Sequence, residues 1–269
     1  MASAVHAVSA ERHRDRHWRP LTTYAHAQNR ALVGIAPSEL AQAIQGLALG
    51  FVVQNNVPGM VAILGIEPNS SLFVASDGTW MGRYVPAMLR AHPFLVAQQD
   101  DKQILCIDEA SGLAAPGEEN TRPFFDEAGA LAKPTADVAQ FLQTLNTQLR
   151  QGSQLTALLL KHNVLEPWPI EIRGTEADPA RNVEGLLRVN EAALNSLPDE
   201  AFLELRRGAL LLAHAQLLSM SNLALLPRIA EARQAREREI RQRRAEEAAM
   251  FQASGPSQDV IDWDRVFND

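Results

Sequence analysis

The sequence predicts an α+β fold: a mostly antiparallel sheet in the N-terminal half, packed by helices from the C-terminal half, with a long charged C-terminal helix. Three observations predict it. Residues 50–108 hold short runs rich in Val, Ile and Phe, separated by turn signals, with no long helical pattern between them. From Thr135 onward the apolar residues fall three and four apart. Beyond Pro227 the chain is almost purely Arg, Glu, Ala and Gln.

Taken in order, residues 1–20 are small, rich in Arg and His, and aperiodic, which predicts a disordered arm. "SELAQAIQGLAL" predicts a helix, with Ser38 as its cap after Pro37. "FVVQ", "GMVAILGI", "SLFVAS", "FLVAQQ" and "QILCID" predict strands, divided by "NNVPG", "EPNS", "DGTW" and "DDK". Residues 110–133 are loop-like, tethered through Phe124 and Phe125. From Thr135 a long helix places Val138, Phe141, Leu142, Leu145 and Leu149 on one face, with Gly152 as a candidate interruption. "EPWPIEIR" resets the chain with a short strand. A second long helix starts at Pro198, where a missing N–H costs nothing, and is expected to kink or end at Pro227. Residues 21–227 thus form one domain, and 228–269 form a protruding helix and acidic tail. In that helix Glu237–Arg241 and Glu239–Arg243 are i,i+4 pairs worth about 0.3 kcal/mol each, and no apolar heptad is sustained.

Composition narrows the function. With 46% apolar residues the chain can bury a core, and its net charge of −7 argues against a nucleic-acid partner. The one cysteine, Cys106, rules out an internal disulfide framework and reads as a small buried hydrophobe. No uninterrupted apolar run is long enough to predict a membrane span. The N-terminal charges follow a weak apolar stretch instead of preceding it, so a cytoplasmic protein is expected.

No nucleophile elbow, dinucleotide fingerprint, phosphate loop or zinc-protease motif is present. The His13–Asp15 triplet lacks the rest of a kinase signature, and His13 and His17 read as part of a solvated basic arm. No metal site and no cofactor are expected. His214, inside an apolar helix, reads as a hydrogen-bonded core histidine. The best candidate site is "DGTWMGRYVPAMLRAHPF". Asp77-Gly78 makes a tight turn, Trp80 follows it, and a short helix after Pro86 brings Arg83, Tyr84 and Arg90 near one another. Two guanidiniums and a phenol suit a carboxylate or phosphate. The structural alternative is that Arg and Tyr satisfy buried carbonyls while Trp80 and Phe94 fill the core. Asp108, at a strand end, is a further candidate ligand-binding carboxylate or a turn cap. In the tail, Ile261, Trp263, Val266 and Phe267 alternate with acids, as in a docking peptide that binds in cis or on a partner, or as in a frayed terminus.

"LFVASDGTWMGRYVPAMLRAHPF" followed by "ILCIDEASGL" resembles the bacterial SapC family, in which an Asp-Gly-x-Trp…Tyr-Val-Pro-x-x-Leu-Arg…Pro-Phe line precedes an Ile-Asp-Glu. "HWRPLTTYAHAQNRALVGIAPSEL" is similar to that family's opening, and "GALLLAHAQLLSMSNLALL" to its closing helix. The resemblance spans about residues 17–230 and fits Asp77, Gly78, Trp80, Tyr84, Pro86, Arg90, Pro93, Phe94 and Asp108 to the pattern. It implies an accessory role and no particular reaction. The chain departs from the pattern at "LALGFVV" and in its Arg/Glu helix and tail. The function expected is therefore a non-enzymatic accessory protein. It recognises a peptide or small anionic ligand and engages a protein or peptide partner, or a second copy, through its C-terminal extension. The alternative is a metal-dependent, oxygenase-like or peptide-modifying enzyme built on Arg83, Tyr84 and Arg90.

Overall fold

The computed structural model describes residues 4–100, 102–115, 120–172 and 181–253. The chain opens with β1 (Val5–Ala7), α1 (Ala10–His13), β2 (His17–Trp18) and β3 (Leu32–Gly34). Then follow α2 (Leu40–Ala43), β4 (Ala48–Gln54), β5 (Val57–Ile63), α3 (Ala87–Arg90), β6 (Phe94–Gln99) and β7 (Lys102–Asp108). Next are β8 (Ala114–Ala115), β9 (Arg122–Pro123), α4 (Lys133–Lys161), β10 (Leu165–Pro167), β11 (Ile170–Ile172), β12 (Arg181–Val183) and β13 (Leu187–Val189). Four helices close the chain: α5 (Glu191–Asn195), α6 (Asp199–Leu205), α7 (Ala209–Ser219) and α8 (Leu225–Ala253).

Every strand pair is antiparallel, which gives the mixed α+β architecture expected. The larger sheet runs β10-β13-β4-β5-β3, and a second runs β1-β7-β6. The β4–β5 hairpin turns at Asn55 and Asn56, both with positive φ, as a two-residue turn compatible with strand twist requires. Helix α4 lies across both sheets. Its Leu142 and Leu145 pack with Trp18, Phe94, Ile107 and Phe124, while Leu155 and Leu159 pack with Phe51, Ile63 and Leu212. One helix is therefore the shared spine of two cores.

Several expectations are corrected. The first 20 residues are not an arm as far as they are described: β1 pairs with β7 (Val5 opposite Asp108), and His13 and Trp18 are buried. The Glu109 carboxylate holds the segment down, accepting from Arg12 Nε at 2.7 Å and Arg16 Nη1 at 3.2 Å, with His13 Nε2 at 3.1 Å. Arg12 above all holds the Glu109 carboxyl at about 2. Ser38 does not cap α2. A 3-10 turn at Pro37–Glu39 precedes that helix, and α2 is only one turn long because the chain enters β4 at Ala48. "SLFVAS" contributes only a single bridge, Val74 with Trp80. Gly152 does not interrupt α4. It lets the helix approach Pro37, whose Cδ lies 3.2 Å from where a Cβ would sit.

The second long helix breaks at Gly208, where φ is +121°, an angle that favours glycine, and a Cβ would crowd Leu155. Pro227 falls in the first turns of α8, so the charged helix starts at Leu225. His214 is exposed, its Nδ1 2.6 Å from the Leu210 carbonyl. By length and composition the run Ala209–Met250 is apolar enough to cross a membrane, with a mean hydropathy of 1.5 in its most apolar window. Much of that apolarity is spent on the core, since Leu212, Ala213 and Ala215 are buried, although Leu211 and Leu218 are exposed.

Candidate functional site

The Asp77–Phe94 segment is pulled in different directions. Asp77 turns the chain, accepting from the Thr79 N–H at 3.0 Å, and its other oxygen binds Arg236 of α8 at 2.8 Å. The Thr79 N–H and Arg236 together lower its pKa. Trp80 packs between Tyr24 and Phe73, with ring centroids 5.8 and 5.4 Å away. The Tyr84 hydroxyl donates to Glu39 Oε1 at 2.8 Å. Burial and that bond push the phenol up to about 12. Glu39 is itself buried and also accepts from the Ala87 N–H at 2.7 Å and the Ala36 N–H at 2.9 Å. Arg90 lies exposed over the rings of Tyr84 and Phe141, 5.8 and 5.7 Å from their centroids. Arg83 faces solvent. The structure thus joins Tyr84 to Arg90 but leaves Arg83 apart from them. Ile261, Trp263, Val266 and Phe267 lie outside the described residues.

Asp108 belongs elsewhere, at a cleft of about 310 Å³ where the two sheets meet. Its polar wall is His26, Arg30, His92 and Asp108; Val33, Leu89 and Phe94 make an apolar wall. His26 sits in the 3-10 turn Ala25–Ala27, and the loop beyond that turn carries Arg30 into β3. His92 follows α3, and Asp108 ends β7 beside Val5. The His26 and His92 rings stack at 4.0 Å, 9° from parallel, and His26 Nε2 lies 3.2 Å from the Leu89 carbonyl. Asp108 Oδ1 accepts from the Ala110 N–H at 3.1 Å.

Burial, reinforced by His92, pushes His26 down to about 4. Burial also lowers His92; Asp108 opposes that shift and Arg30 adds to it. Both imidazoles are therefore neutral at pH 7, and Arg30 is the cleft's cation. An unfolded chain takes up a proton at His26 near pH 6.5, whereas the folded chain does so only near pH 4. The contribution to stability is full above pH 6.5 and is lost as pH falls toward 4, and His92 acts in the same direction. Urea midpoints should therefore drop between pH 7 and pH 5, and His26→Gln should flatten that slope. Equal slopes in the two proteins would contradict the burial argument.

Sequence reasoning missed His26 and Arg30 and gave His92 no place in the candidate site. The i,i+4 spacing of His26 and Arg30 in "HAQNR" was the available signal. Among the described residues no three His, Cys, Asp or Glu side chains converge as a metal cage.

The α+β body thus carries a polar, small-molecule-sized cleft at the seam of the β10-β13-β4-β5-β3 and β1-β7-β6 sheets. A family model described as SapC matches residues 8–226, and the chain belongs to that family. No curated protein and no solved structure matches it significantly.

Proposed function

We propose that the chain is a non-enzymatic binding protein that takes a small anionic ligand in the cleft of His26, Arg30, His92 and Asp108. The observation that carries this reading is Arg30, a cation facing the cleft without an ion-pair partner among the described residues. A guanidinium beside two neutral imidazoles offers hydrogen-bond donors to an anion. Among the described residues no Ser, Thr, Cys, Lys or Tyr lines the cleft. The enzymatic alternative around Arg83, Tyr84 and Arg90 gains no support, because Glu39 occupies the Tyr84 hydroxyl and Arg83 is exposed. We place the protein in the cytoplasm, which suits a chain whose one cysteine is buried and unpaired.

A thermal-shift panel of small carboxylates tests the reading. At ten times Kd a ligand adds about 1.4 kcal/mol, a rise of roughly 3–5 °C. Arg30→Met should abolish the rise, while Arg83→Met, which removes an equally exposed arginine, should keep it. A rise that survives Arg30→Met, or no rise with any carboxylate, would contradict the proposal.

The second part of the proposal is that α8 and the residues beyond it engage a protein partner. Arg233 donates to the Ser71 carbonyl at 2.7 Å and Arg236 binds Asp77, but residues 241–250 are exposed. That exposed distal part of α8 buries nothing of its own and contributes little to folding. Truncation after Glu237 should change stability by less than about 0.5 kcal/mol in urea denaturation. A larger loss would mean that the helix serves the body instead of a partner.

A further inference from the structure

The cleft holds charges of both signs that do not meet. Arg30 has no ion-pair partner among the described residues, and Asp108 forms no ion pair with it. Asp108 Oδ1 is engaged by the Ala110 N–H, while Oδ2 accepts no hydrogen bond from a described residue. His92 lines the same cleft and feels both charges, the carboxylate raising and the guanidinium lowering its proton affinity. A gap between an unpaired cation and an unpaired anion is completed by a ligand that carries the opposite arrangement. A simple carboxylate would gain Arg30 but meet repulsion from Asp108, and a simple amine would meet the reverse.

The remaining walls set the rest of the ligand. Val33, Leu89 and Phe94 are buried and apolar, and Met88 and Leu95 continue that surface. A volume of about 310 Å³ is at the small end of ligand sites and suits one amino-acid-sized body.

We infer that the cleft binds a zwitterion of the α-amino-acid class, its carboxylate on Arg30, its ammonium on Asp108, and an apolar side chain against Val33, Leu89 and Phe94. This rests on the anion-binding reading above and adds the requirement for the amino group. The neutral imidazoles of His26 and His92 line the polar side, where they can share the ligand's hydrogen bonds without adding charge. Discrimination comes from Asp108, which penalises any anion that brings no ammonium with it.

Isothermal titration of the full chain at pH 7 tests this with L-leucine and L-phenylalanine against their deaminated counterparts, 4-methylpentanoate and 3-phenylpropanoate. At least one amino acid should bind tenfold or more tightly than its counterpart. Asp108→Asn keeps an oxygen for the Ala110 N–H and so preserves the turn. It should bring the two Kd values within about threefold by weakening the amino acid, while Arg30→Met abolishes binding of both. Deaminated acids binding wild type as tightly as the amino acids would overturn the zwitterion inference and leave the anion site standing. If neither class bound, both readings would fall. If the preference persisted unchanged in Asp108→Asn, the role given to Asp108 would be wrong.

Discussion

Glu39→Ala should destabilise the protein by about 3–5 kcal/mol and lower the urea midpoint by roughly 1–2 M. The side chain is buried and accepts three hydrogen bonds, from the Ala36 N–H, the Ala87 N–H and the Tyr84 hydroxyl. It thereby ties the start of α2 to the start of α3, which are far apart in sequence. Alanine leaves two main-chain donors and a phenol without acceptors in a space that water does not reach, and each orphan costs about 1–3 kcal/mol. Glu39→Gln should cost less, because its carbonyl oxygen can still serve Tyr84 and Ala87 on the Oε1 side. The amide nitrogen would then face the Ala36 N–H, donor against donor. Tyr84→Phe removes one bond and should cost only about 1 kcal/mol. A Glu39→Ala loss no larger than that of Tyr84→Phe would show that the two main-chain donors find other partners.

Gln216→Leu should cost about 2–4 kcal/mol for a related reason. Strands β13 and β4 pair only at Leu187 and Phe51, and the larger sheet opens beyond that point. Helix α7 fills the opening with two polar side chains. Gln216 Oε1 accepts from the Val189 N–H at 3.0 Å, and its Nε2 donates to the Leu49 carbonyl at 3.4 Å. Ser219 Oγ accepts from the Leu49 N–H at 3.0 Å and donates to the Gln216 carbonyl at 2.8 Å. The helix thus stands in for ladder bonds that the diverging strands cannot make. Leucine is close to glutamine in size, so the expected loss is that of buried hydrogen bonds and not of packing. The "AQLLS" stretch has a structural reason as a unit, and Gln216→Leu combined with Ser219→Ala should be non-additive. A Gln216→Leu protein as stable as wild type would mean that the Val189 and Leu49 groups are satisfied without it.

Local signals carried most of what was legible in the sequence. Asn55-Asn56 between two alternating apolar runs specified the β4–β5 hairpin, because few residues tolerate positive φ at both positions. The apolar face of α4 was readable from its spacing, and so was the polar surface of α8. What escaped prediction depends on partners distant in sequence. Nothing in "VHA" announces that β1 will pair with Cys106–Asp108, or that Arg12 and Arg16 will converge on Glu109. Gly152 looked like a helix breaker, whereas Gly208 was read inside one continuous helix. Only Gly208 breaks a helix, because Gly152 is fixed by the approach of Pro37.

The candidate site was half legible for the same reason. The turn at Asp77-Gly78 and the short helix after Pro86 were visible, but not the buried Glu39 that claims Tyr84. Nor was the salt bridge that ties Asp77 to α8. Asp108, read as a ligand-binding carboxylate or a turn cap, ends its strand and accepts from the Ala110 N–H. Its neighbours His26 and Arg30 come from a loop about eighty residues earlier, and stacking of His26 on His92 is a tertiary event with no periodic signature. The polar wall therefore emerges only when the two sheets are brought together along α4.

The ligand assignment depends on the cleft being the place where small molecules bind. Imidazole carbon–proton NMR spectra of labelled protein titrated with L-leucine test this most directly. The His26 and His92 signals should shift together and saturably, while exposed His214 stays still, and Arg30→Met should remove the response. Saturable shifts confined to residues outside the cleft, such as those around Tyr84 and Arg90, would contradict it.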